Sequence, residues 1–306
     1  VLERADGTIE LADMPTGAGD DYAPLSAEDR TLSCRPFSGH IDRRWCVSSF
    51  SSLVSGRPHM ADLADHDSIS LTGAPAEMDL SESRIDEEPS GIFAFPKGAK
   101  AGTLLHDILE NLDFTRKDPS PMEELVTDKL LEYGFEPAWQ KILCDMVQKV
   151  LSVPLIPDHK DLTLSRIPSE DRLHELEFYF PLKSITSEEI GSLFKKYAGP
   201  DLPADIPESM GRLDFSPVKG FMKGFMDMIF RFRERFYLVD WKSNFLGNRV
   251  EDYGPEALAS AMKKEFYFLQ FHLYTVALDQ YLRLRLPGYG YESHFGGVYY
   301  LSLIHI

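Results

Sequence analysis

The sequence contains little cysteine and no long apolar run. Its three cysteines, Cys34, Cys46 and Cys144, are far apart and form no CxxC spacing. This spacing predicts ordinary reduced thiols of a cytoplasmic protein and excludes a zinc or iron–sulfur site built from them. No run of about 18 apolar residues is present, so we expect no membrane-spanning helix and no membrane partner.

A nucleotide-binding motif and an excess of basic residues are also missing. No GxxxxGK[ST] motif occurs, which excludes a helicase motor within this sequence. The 32 Lys and Arg against 49 Asp and Glu give a net charge of −17, which argues against nucleic acid because phosphate binding needs cations. The excess of acid is local, however. Residues 1–31 carry eight acids against two bases, and residues 62–88 carry nine against one, so the rest of the chain is nearly neutral.

Charge and hydrophobic periodicity predict three regions. Residues 1–55 are expected to be a largely irregular tail, with a basic and aromatic segment at 43–53. Residues 56–98, which are acidic and contain Ser, Pro and Gly, are predicted to be a flexible linker. Residues 99–306 are expected to form the ordered domain. The final LSLIHI matches the translation of a common sequencing adapter, so we interpret 301–306 as a candidate artefact that cuts the domain short.

The ordered region alternates helical and strand patterns, which predicts an α/β fold with a mixed sheet flanked by helices. A Pro is expected to end one of the strands. The predicted helices are Thr103–Phe114, two helices within 122–152, Ser187–Tyr197 and one long helix over Pro255–Leu286; the predicted strands are Leu176–Leu182 (ended by Pro181), the two arms of a hairpin, and Phe295–Leu303.

The hairpin, GFMDMIFRFRERFYLVDWKSN, is the most strand-like part of the chain. A turn centred between Arg233 and Glu234 makes Asp227 face Asp240, with Cβ atoms about 5 Å apart. Lys242 lies two residues beyond Asp240 and therefore on the same face. Opposed carboxylates in apolar surroundings repel each other unless a proton, a lysine or a metal cation lies between them.

Two interpretations of this arrangement remain open from spacing alone. In the first, Lys242 neutralises Asp227 and Asp240 in a structural ion cluster. In the second, the two carboxylates hold a metal ion, for which hard oxygen ligands favour Mg²⁺. Lys242 then contacts the attacking water and the scissile phosphate, while the metal stabilises charge in the transition state.

Asp227 followed by Asp240-Trp241-Lys242 resembles the PD-(D/E)XK nuclease motif, in which an acid precedes an acid-x-Lys triplet on the next strand. The wider sequence is more specific, because VKGFMKGFMDMIFRFRERFYLVDWKSNFLGN is similar to the C-terminal nuclease domain of the RecB family (exodeoxyribonuclease V). The resemblance runs from about Pro36 to Leu301 and implies a restriction-endonuclease-like fold. Its other matching segments are WCVSSFSSL, GTLLHDILENLDF, LQFHLYTVALDQYLR and YESHFGGVYYL.

The resemblance implies a metal site, residue by residue. His106 matches the family's metal-binding histidine, and Asp227 and Asp240 match its two metal-ligating carboxylates. Lys242 matches the catalytic lysine. The carbonyl of Trp241 lies where the family has a backbone contact to the metal.

Three further polar residues match the family pattern. Gln270 and Tyr274 match a QxxxY motif and lie four residues apart on one helix face, near the expected DNA backbone. Glu177 matches a strand acid of related nucleases. Taken singly, each is typical of a solvated polar residue, and His106 is typical of a surface histidine beside Glu110. Only their occurrence together and in order favours the functional interpretation.

The resemblance implies a Mg²⁺-dependent DNase, whose site Mn²⁺ or Ca²⁺ can also occupy, acting in double-strand break repair and recombination. It implies single strands of DNA as substrate, RecC and RecD as partner subunits, and RecA recombinase as a further partner. Residues 1–55 then correspond to the end of a helicase region. The alternative hypothesis is a catalytically inactive docking module for RecA or RecC, which need not bind a metal. A stand-alone restriction-type endonuclease is disfavoured because the sequence has no specificity domain.

Overall fold

The computed structural model describes residues 38–39, 45–55, 90–156, 159–197, 199, 202–215 and 217–304. The chain divides into two units, Val1–Ile41 and Asp42–Ile306, and the elements named below belong to the second. Nearly all of the predicted irregular tail before residue 45 and most of the predicted linker lie outside the described residues.

The second unit alternates helices and strands in the order that the sequence predicts. Its strands are β1 (Trp45–Ser48), β2 (Arg172–Ile185), β3 (Val218–Phe232), β4 (Arg235–Lys242) and β5 (Phe295–Ser302). Its α-helices are α1 (Phe50–Ser55), α2 (Ala99–Asn111), α3 (Ser120–Glu132), α4 (Gln140–Ser152), α5 (Ser187–Tyr197), α6 (Ile206–Gly211), α7 (Pro255–Lys264), α8 (Tyr267–Arg285) and α9 (Tyr291–His294). Within the described ranges, every helix is too short or too polar to traverse a bilayer.

Strand β3 is the centre of the sheet. β2 pairs antiparallel along one edge of β3. The other edge carries β1, parallel to the start of β3, and β4, antiparallel to its end. β5 continues the sheet in parallel with β4. The α/β prediction, a mixed sheet flanked by helices, is therefore confirmed. The sequence prediction placed Trp45–Ser48 in the tail of residues 1–55. Because these residues form β1, they are part of the sheet.

The β3–β4 hairpin has the predicted register. Phe230 pairs with Tyr237, and Met228 pairs with Val239. Arg233 and Glu234 form a two-residue turn with φ angles of 49° and 64°, the left-handed conformation that type I′ hairpin turns require. The turn matches the natural twist of the two strands, so its position sets the register of the whole hairpin.

Two sequence predictions about element ends were wrong. β2 continues through Pro181 to Ile185. Within the described sheet β2 pairs only with β3, and an edge strand tolerates a residue that lacks an N–H. The predicted single helix over Pro255–Leu286 is broken at Phe266, whose φ of 57° and ψ of 26° are left-handed. The break redirects α8 and lets the Tyr267 hydroxyl donate to Asn244 Oδ1 at 2.9 Å.

The other helix predictions held with small shifts. α5 spans the predicted Ser187–Tyr197. Of the two helices predicted within 122–152, α3 begins two residues earlier, at Ser120, and α4 ends at Ser152 as expected. α2 begins at Ala99 and ends at Asn111, whereas the prediction was Thr103–Phe114. Before α2, Phe95 of the predicted linker is buried against the core. At the other end, Leu303 is fully buried and its N–H donates to the Lys242 carbonyl at 2.8 Å.

The sheet separates two helical layers. α2, α3 and α4 pack on one face, where their buried residues share one hydrophobic cluster with Met228 and Phe230 of β3. α8 packs on the opposite face, where its apolar residues contact a different set of strand residues. α1, α5 and α6 cluster around the start of α8. Burial of these apolar surfaces is the main driving force for this layered arrangement.

Side-chain alternation reverses once along β3. Met222 and Met226 lie in the cluster beneath α8, but Met228 and Phe230 lie in the cluster beneath α2–α4. Residues an even number apart should share a face, so the pattern changes at Asp227. The side chains of the neighbouring strand β2 also change face at this position.

On β2, Phe178 and Phe180 lie beneath α8, whereas the ring of His174 packs edge-on against Phe114 of the other cluster. Between them Glu175 has a left-handed φ of 48°. The register places Glu175 beside Asp227, since the flanking pairs are His174 with Met228 and Leu176 with Met226. The irregularity therefore brings two acidic side chains to one point of the sheet.

Candidate active site

His106 reaches the sheet because α2 approaches it closely. A Cβ atom at Gly102 would lie 2.9 Å from Ser243 Oγ, just beyond the end of β4. His106 follows one helical turn later on the same side of α2. Its side chain is buried, and its Nδ1 lies 3.8 Å from Asp227 Oδ2. The glycine thus permits the close packing that positions the imidazole.

Asp227 lies where the two hairpin strands separate. The backbone ladder between β3 and β4 ends at Met228 and Val239, one pair before Asp227 and Asp240. The Trp241 N–H instead donates to Asp227 Oδ2 at 2.7 Å. β4 continues against β5, where Asp240 pairs with Tyr300. Where β3 and β4 separate, the Asp227 carboxylate therefore takes the place of a backbone carbonyl as the acceptor for the Trp241 N–H.

Glu175 joins His106 and Asp227 in a compact group, which we call the metal cluster. Each residue offers one ligand atom, and these atoms all lie within 4.8 Å of one another. Two carboxylates and an imidazole are a donor set suited to a divalent cation. The sequence had indicated His106 and Asp227 but not Glu175.

Burial and mutual repulsion make the cluster costly without a cation. Burial, reinforced by the charge of Asp240, raises the pKa of Asp227 well above its usual range. Burial, followed by the charges of Glu110 and Asp240, raises the pKa of Glu175 to about 7. Lys242 and the Trp241 N–H oppose the shift at Asp227. A bound cation would offset the remaining negative charge, so the residues present fit a metal site.

Asp240 and Lys242 form a buried ion pair beside the cluster. Lys242 Nζ lies 2.6 Å from Asp240 Oδ2. The ammonium also lies 4.0 Å from the centre of the Tyr267 ring and 5.3 Å from that of Tyr300. Lys242 therefore compensates Asp240, whereas Asp227 lies with His106 and Glu175, so a metal site on the two hairpin carboxylates stays a prediction.

Asp240 and Trp241, which the family pattern places among the metal contacts, stand next to the metal cluster. Asp240 acts on Asp227 and Glu175 through its charge. The backbone of Trp241 contacts Asp227 through its N–H, and its indole is buried in the core. Ligation by the Asp240 carboxylate and by the Trp241 carbonyl stays a prediction.

Gln270 and Tyr274 share one face of α8, as predicted, and both are buried. Gln270 Nε2 donates to the Tyr274 hydroxyl at 3.3 Å, and the Tyr300 hydroxyl donates to Gln270 Oε1 at 3.1 Å. Tyr300 is also one of the rings beside Lys242. Gln270 and Tyr274 are therefore linked to Lys242 indirectly, through the ring and hydroxyl of Tyr300.

Glu177 lies away from the metal cluster. Its side chain is 45% exposed, and its carboxylate pairs with Lys223 at 3.0 Å. The acid that meets His106 and Asp227 is Glu175, two residues earlier. The signal that identifies Glu175 is its register opposite Asp227, which is readable only once β2 is known to pair with β3.

Comparison with known proteins finds several relatives that carry the same name. No family model matches the chain. The chain is 37% identical over 299 residues to "RecBCD enzyme subunit RecB" of Escherichia coli (strain K12), a match that covers 97% of the chain and 23% of that subunit. The RecB subunits of Haemophilus influenzae and Mycolicibacterium smegmatis are 28% and 31% identical, and each match covers 98% of the chain and 25% or 29% of the subunit. The chain therefore spans about a quarter of the length of these relatives.

Proposed function

The chain belongs to the RecB family, and from this premise we propose that it is a Mg²⁺-dependent DNA nuclease domain of a RecBCD-type helicase–nuclease. It would hydrolyse DNA phosphodiester bonds in the repair and recombination of double-strand breaks. The observation that carries this proposal is the metal cluster of His106, Glu175 and Asp227 beside the buried Asp240–Lys242 pair.

The metal cluster would hold the cation through two carboxylates and one imidazole nitrogen. When bound, a divalent cation supplies a Lewis acid that lowers the pKa of water and offsets charge on a phosphate. Hard oxygen donors favour Mg²⁺, and Mn²⁺ or Ca²⁺ can occupy similar sites. The raised pKa values of Asp227 and Glu175 mean that protons compete with the cation, so binding should strengthen as the pH rises through about 7.

Lys242 supplies the fixed positive charge of the site. Its ammonium is oriented by Asp240 and by the faces of Tyr267 and Tyr300, so little reorganisation is needed when a phosphate arrives. We assign Lys242 to donate hydrogen bonds to a phosphate oxygen and to the attacking water. Asp240 holds the ammonium in place, and Gln270 and Tyr274 hold Tyr300.

The family premise extends the proposal to location and partners. We propose that the domain acts in the cytoplasm on single strands of DNA, with RecC and RecD as partner subunits and RecA as a further partner. These assignments are inferred from membership of the RecB family, whose members are named as subunits of the RecBCD enzyme.

The activity is tested by cleavage of single-stranded DNA in the presence of Mg²⁺. Asp240→Asn should abolish detectable cleavage, because Lys242 loses its charged partner. Asp145→Asn, which changes an exposed carboxylate on α4, is the matched control and should cleave like the wild type. Equal cleavage by wild type and Asp240→Asn would remove the catalytic assignment.

Metal uptake separates the nuclease from the docking hypothesis. A nuclease should bind Mn²⁺, measured by titration calorimetry, and Asp227→Asn and Glu175→Gln should each weaken that binding. A docking module for RecA or RecC need not bind the ion. A folded chain that takes up neither Mn²⁺ nor Mg²⁺ would favour the docking module.

A further inference from the structure

β3 carries a second pattern, on the N-terminal side of Asp227. Lysine and phenylalanine alternate at every second position along the strand. Alternate residues of a strand share one face, and the intervening Met222 and Met226 lie beneath α8. The outward row therefore leads along one face of the sheet to the metal cluster. That row is Lys219, Phe221, Lys223, Phe225 and Asp227.

The neighbouring strands extend this row sideways. Trp45 of β1 pairs with Lys219, and its ring meets Phe221 edge-on with centroids 5.5 Å apart. Tyr179 of β2 pairs with Lys223. The Lys223 ammonium lies 5.5 Å from the Tyr179 ring centre and 5.3 Å from that of Phe225. We call the set Trp45, Tyr179, Lys219, Phe221, Lys223 and Phe225 the open face.

The open face is accessible at Trp45, Tyr179 and Lys219, whereas Lys223 is only 8% exposed. Trp45 is 54% exposed and Tyr179 is 53% exposed. The hydrophobic clusters found among the described residues include none of the four aromatic side chains of the open face. Beyond Asp227 the same side of the sheet is covered by α2–α4. The metal cluster thus lies where the accessible part of this side ends.

The chemistry of the open face matches a single strand of nucleic acid. Aromatic rings offer stacking surfaces for unpaired bases, and lysines between them contact phosphates. A duplex hides the faces of its bases, so it could not use the rings. Successive outward residues are about 6.8 Å apart, and the row from Lys219 to Asp227 is about 27 Å long, enough for several nucleotides.

We propose that the open face is a binding track that leads a single strand of nucleic acid to Asp227. The proposal rests on the proposed nuclease function, because that function supplies the reason for a strand to arrive at the metal cluster. Lys219 and Lys223 supply positive charge for phosphates on the open face, even though the whole chain has a net charge of −17. Glu177, which pairs with Lys223, is an acid beside the track and should weaken phosphate binding.

Binding is measured by fluorescence anisotropy of a labelled oligothymidylate with the full chain, in chelator so that nothing is cleaved. Tyr179→Ala should weaken binding roughly 5- to 150-fold, the range for losing one stacked base. Lys219→Ala should lower the salt dependence by about 0.7 in the log–log slope. Tyr197→Ala, which removes a 71% exposed tyrosine on α5, is the control and should leave affinity unchanged. Glu177→Gln should tighten binding severalfold.

Trp45 provides a direct optical probe of stacking. Its fluorescence should be quenched by the oligothymidylate and much less by an abasic oligomer of equal charge. Trp45→Phe should lose the quenching, because the other tryptophans, Trp139 and Trp241, pack in the core and lie outside the open face. Circular dichroism melting checks that each variant is folded.

The outcomes distinguish this proposal from the proposed function. If Tyr179→Ala, Lys219→Ala and Tyr197→Ala all bind like the wild type while DNA is still cleaved with Mg²⁺, the track is overturned and the nuclease stands. If the open-face variants lose binding but the wild type never cleaves, the track stands and the nuclease is overturned. Tighter binding of duplex than of single strand would also overturn the track.

Discussion

The side of the sheet that bears Asp227 has two parts with opposite character. On the C-terminal side of Asp227, Met228 and Phe230 of β3 are fully buried beneath α2–α4. On the N-terminal side, the open face keeps Trp45 and Tyr179 more than half exposed. One continuous strand, β3, runs through both parts, so the difference arises from residue type and from what packs above.

The boundary between the two parts combines properties that neither has alone. The covered part provides low dielectric, which raises the pKa of Asp227 and strengthens every charge interaction nearby. The open part provides room for a long substrate. A site for hydrolysing a charged polymer needs both, and the change of face at Glu175 and Asp227 places the acids at this boundary.

The contrast in burial should produce the largest effect on stability. Phe230→Ala removes a fully buried ring and should lower the free energy of unfolding by about 3–5 kcal/mol. Tyr179→Ala on the open face should change it by roughly 1 kcal/mol or less. Urea denaturation followed by circular dichroism measures both. Similar losses for the two variants would contradict the division of the sheet into covered and open parts.

Removal of the Lys242 charge at the boundary should affect activity almost as strongly as Phe230→Ala affects stability. Lys242→Gln should lower single-strand cleavage with Mg²⁺ by about 10²- to 10³-fold, the usual loss when a preorganised donor is removed. Lys195→Gln, at an exposed position of α5, is the matched control. Mn²⁺ binding should persist in Lys242→Gln, because the metal cluster keeps its ligands. Retained cleavage would show that Lys242 serves only to neutralise Asp240.

The pH dependence tests the cost of placing acids at the boundary. The pKa of Glu175 is raised to about 7 in the fold, so the folded protein binds a proton more tightly than the unfolded chain does. Without metal, stability should therefore fall as the pH rises from about 4.5 through about 7, by on the order of 3 kcal/mol for this group.

Glu175→Gln should remove this part of the pH dependence, and saturating Mn²⁺ at pH 8 should restore stability to the wild type but less to the variant. Thermal unfolding across pH 5–8 measures each case. A pH profile identical in wild type and Glu175→Gln would exclude the buried, perturbed carboxyl.

The smallest expected effect concerns how closely α2 packs over the covered part. Gly102→Ala adds helix propensity of about 1 kcal/mol, but its Cβ would meet Ser243 Oγ at 2.9 Å. We expect near-neutral stability for the single variant. In a Ser243→Ala background the same change should stabilise by about 1 kcal/mol, measured by urea denaturation. Equal effects in both backgrounds would contradict the contact.

Local features of the fold were predictable from the sequence. The pairing of Phe230 with Tyr237 follows from a short turn and strand periodicity, which act over neighbouring residues. The apolar spacing of α2 predicted a helix that carries His106. Nonlocal features were not. The break at Phe266 interrupts a continuous helical pattern, and Pro181 remains in a strand because β2 is an edge.

The candidate site shows the same limit. The family pattern predicted His106, Asp227, Asp240 and Lys242 as site residues, but the choice between Glu175 and Glu177 depends on which side of the sheet each side chain takes. A left-handed residue at Glu175 alters that side, and a two-residue periodicity cannot reveal it.

The amino-acid sequence by itself determined the hairpin, its register and the acids and lysine that it carries, because a tight turn and alternating side chains constrain only nearby residues. The tertiary structure alone decided which charges meet. β2 and α2 come from distant parts of the chain, and only their packing on β3 brings Glu175 and His106 to Asp227 while Lys242 pairs with Asp240. Burial then sets the electrostatics, since the energy of a charge depends on everything that surrounds it.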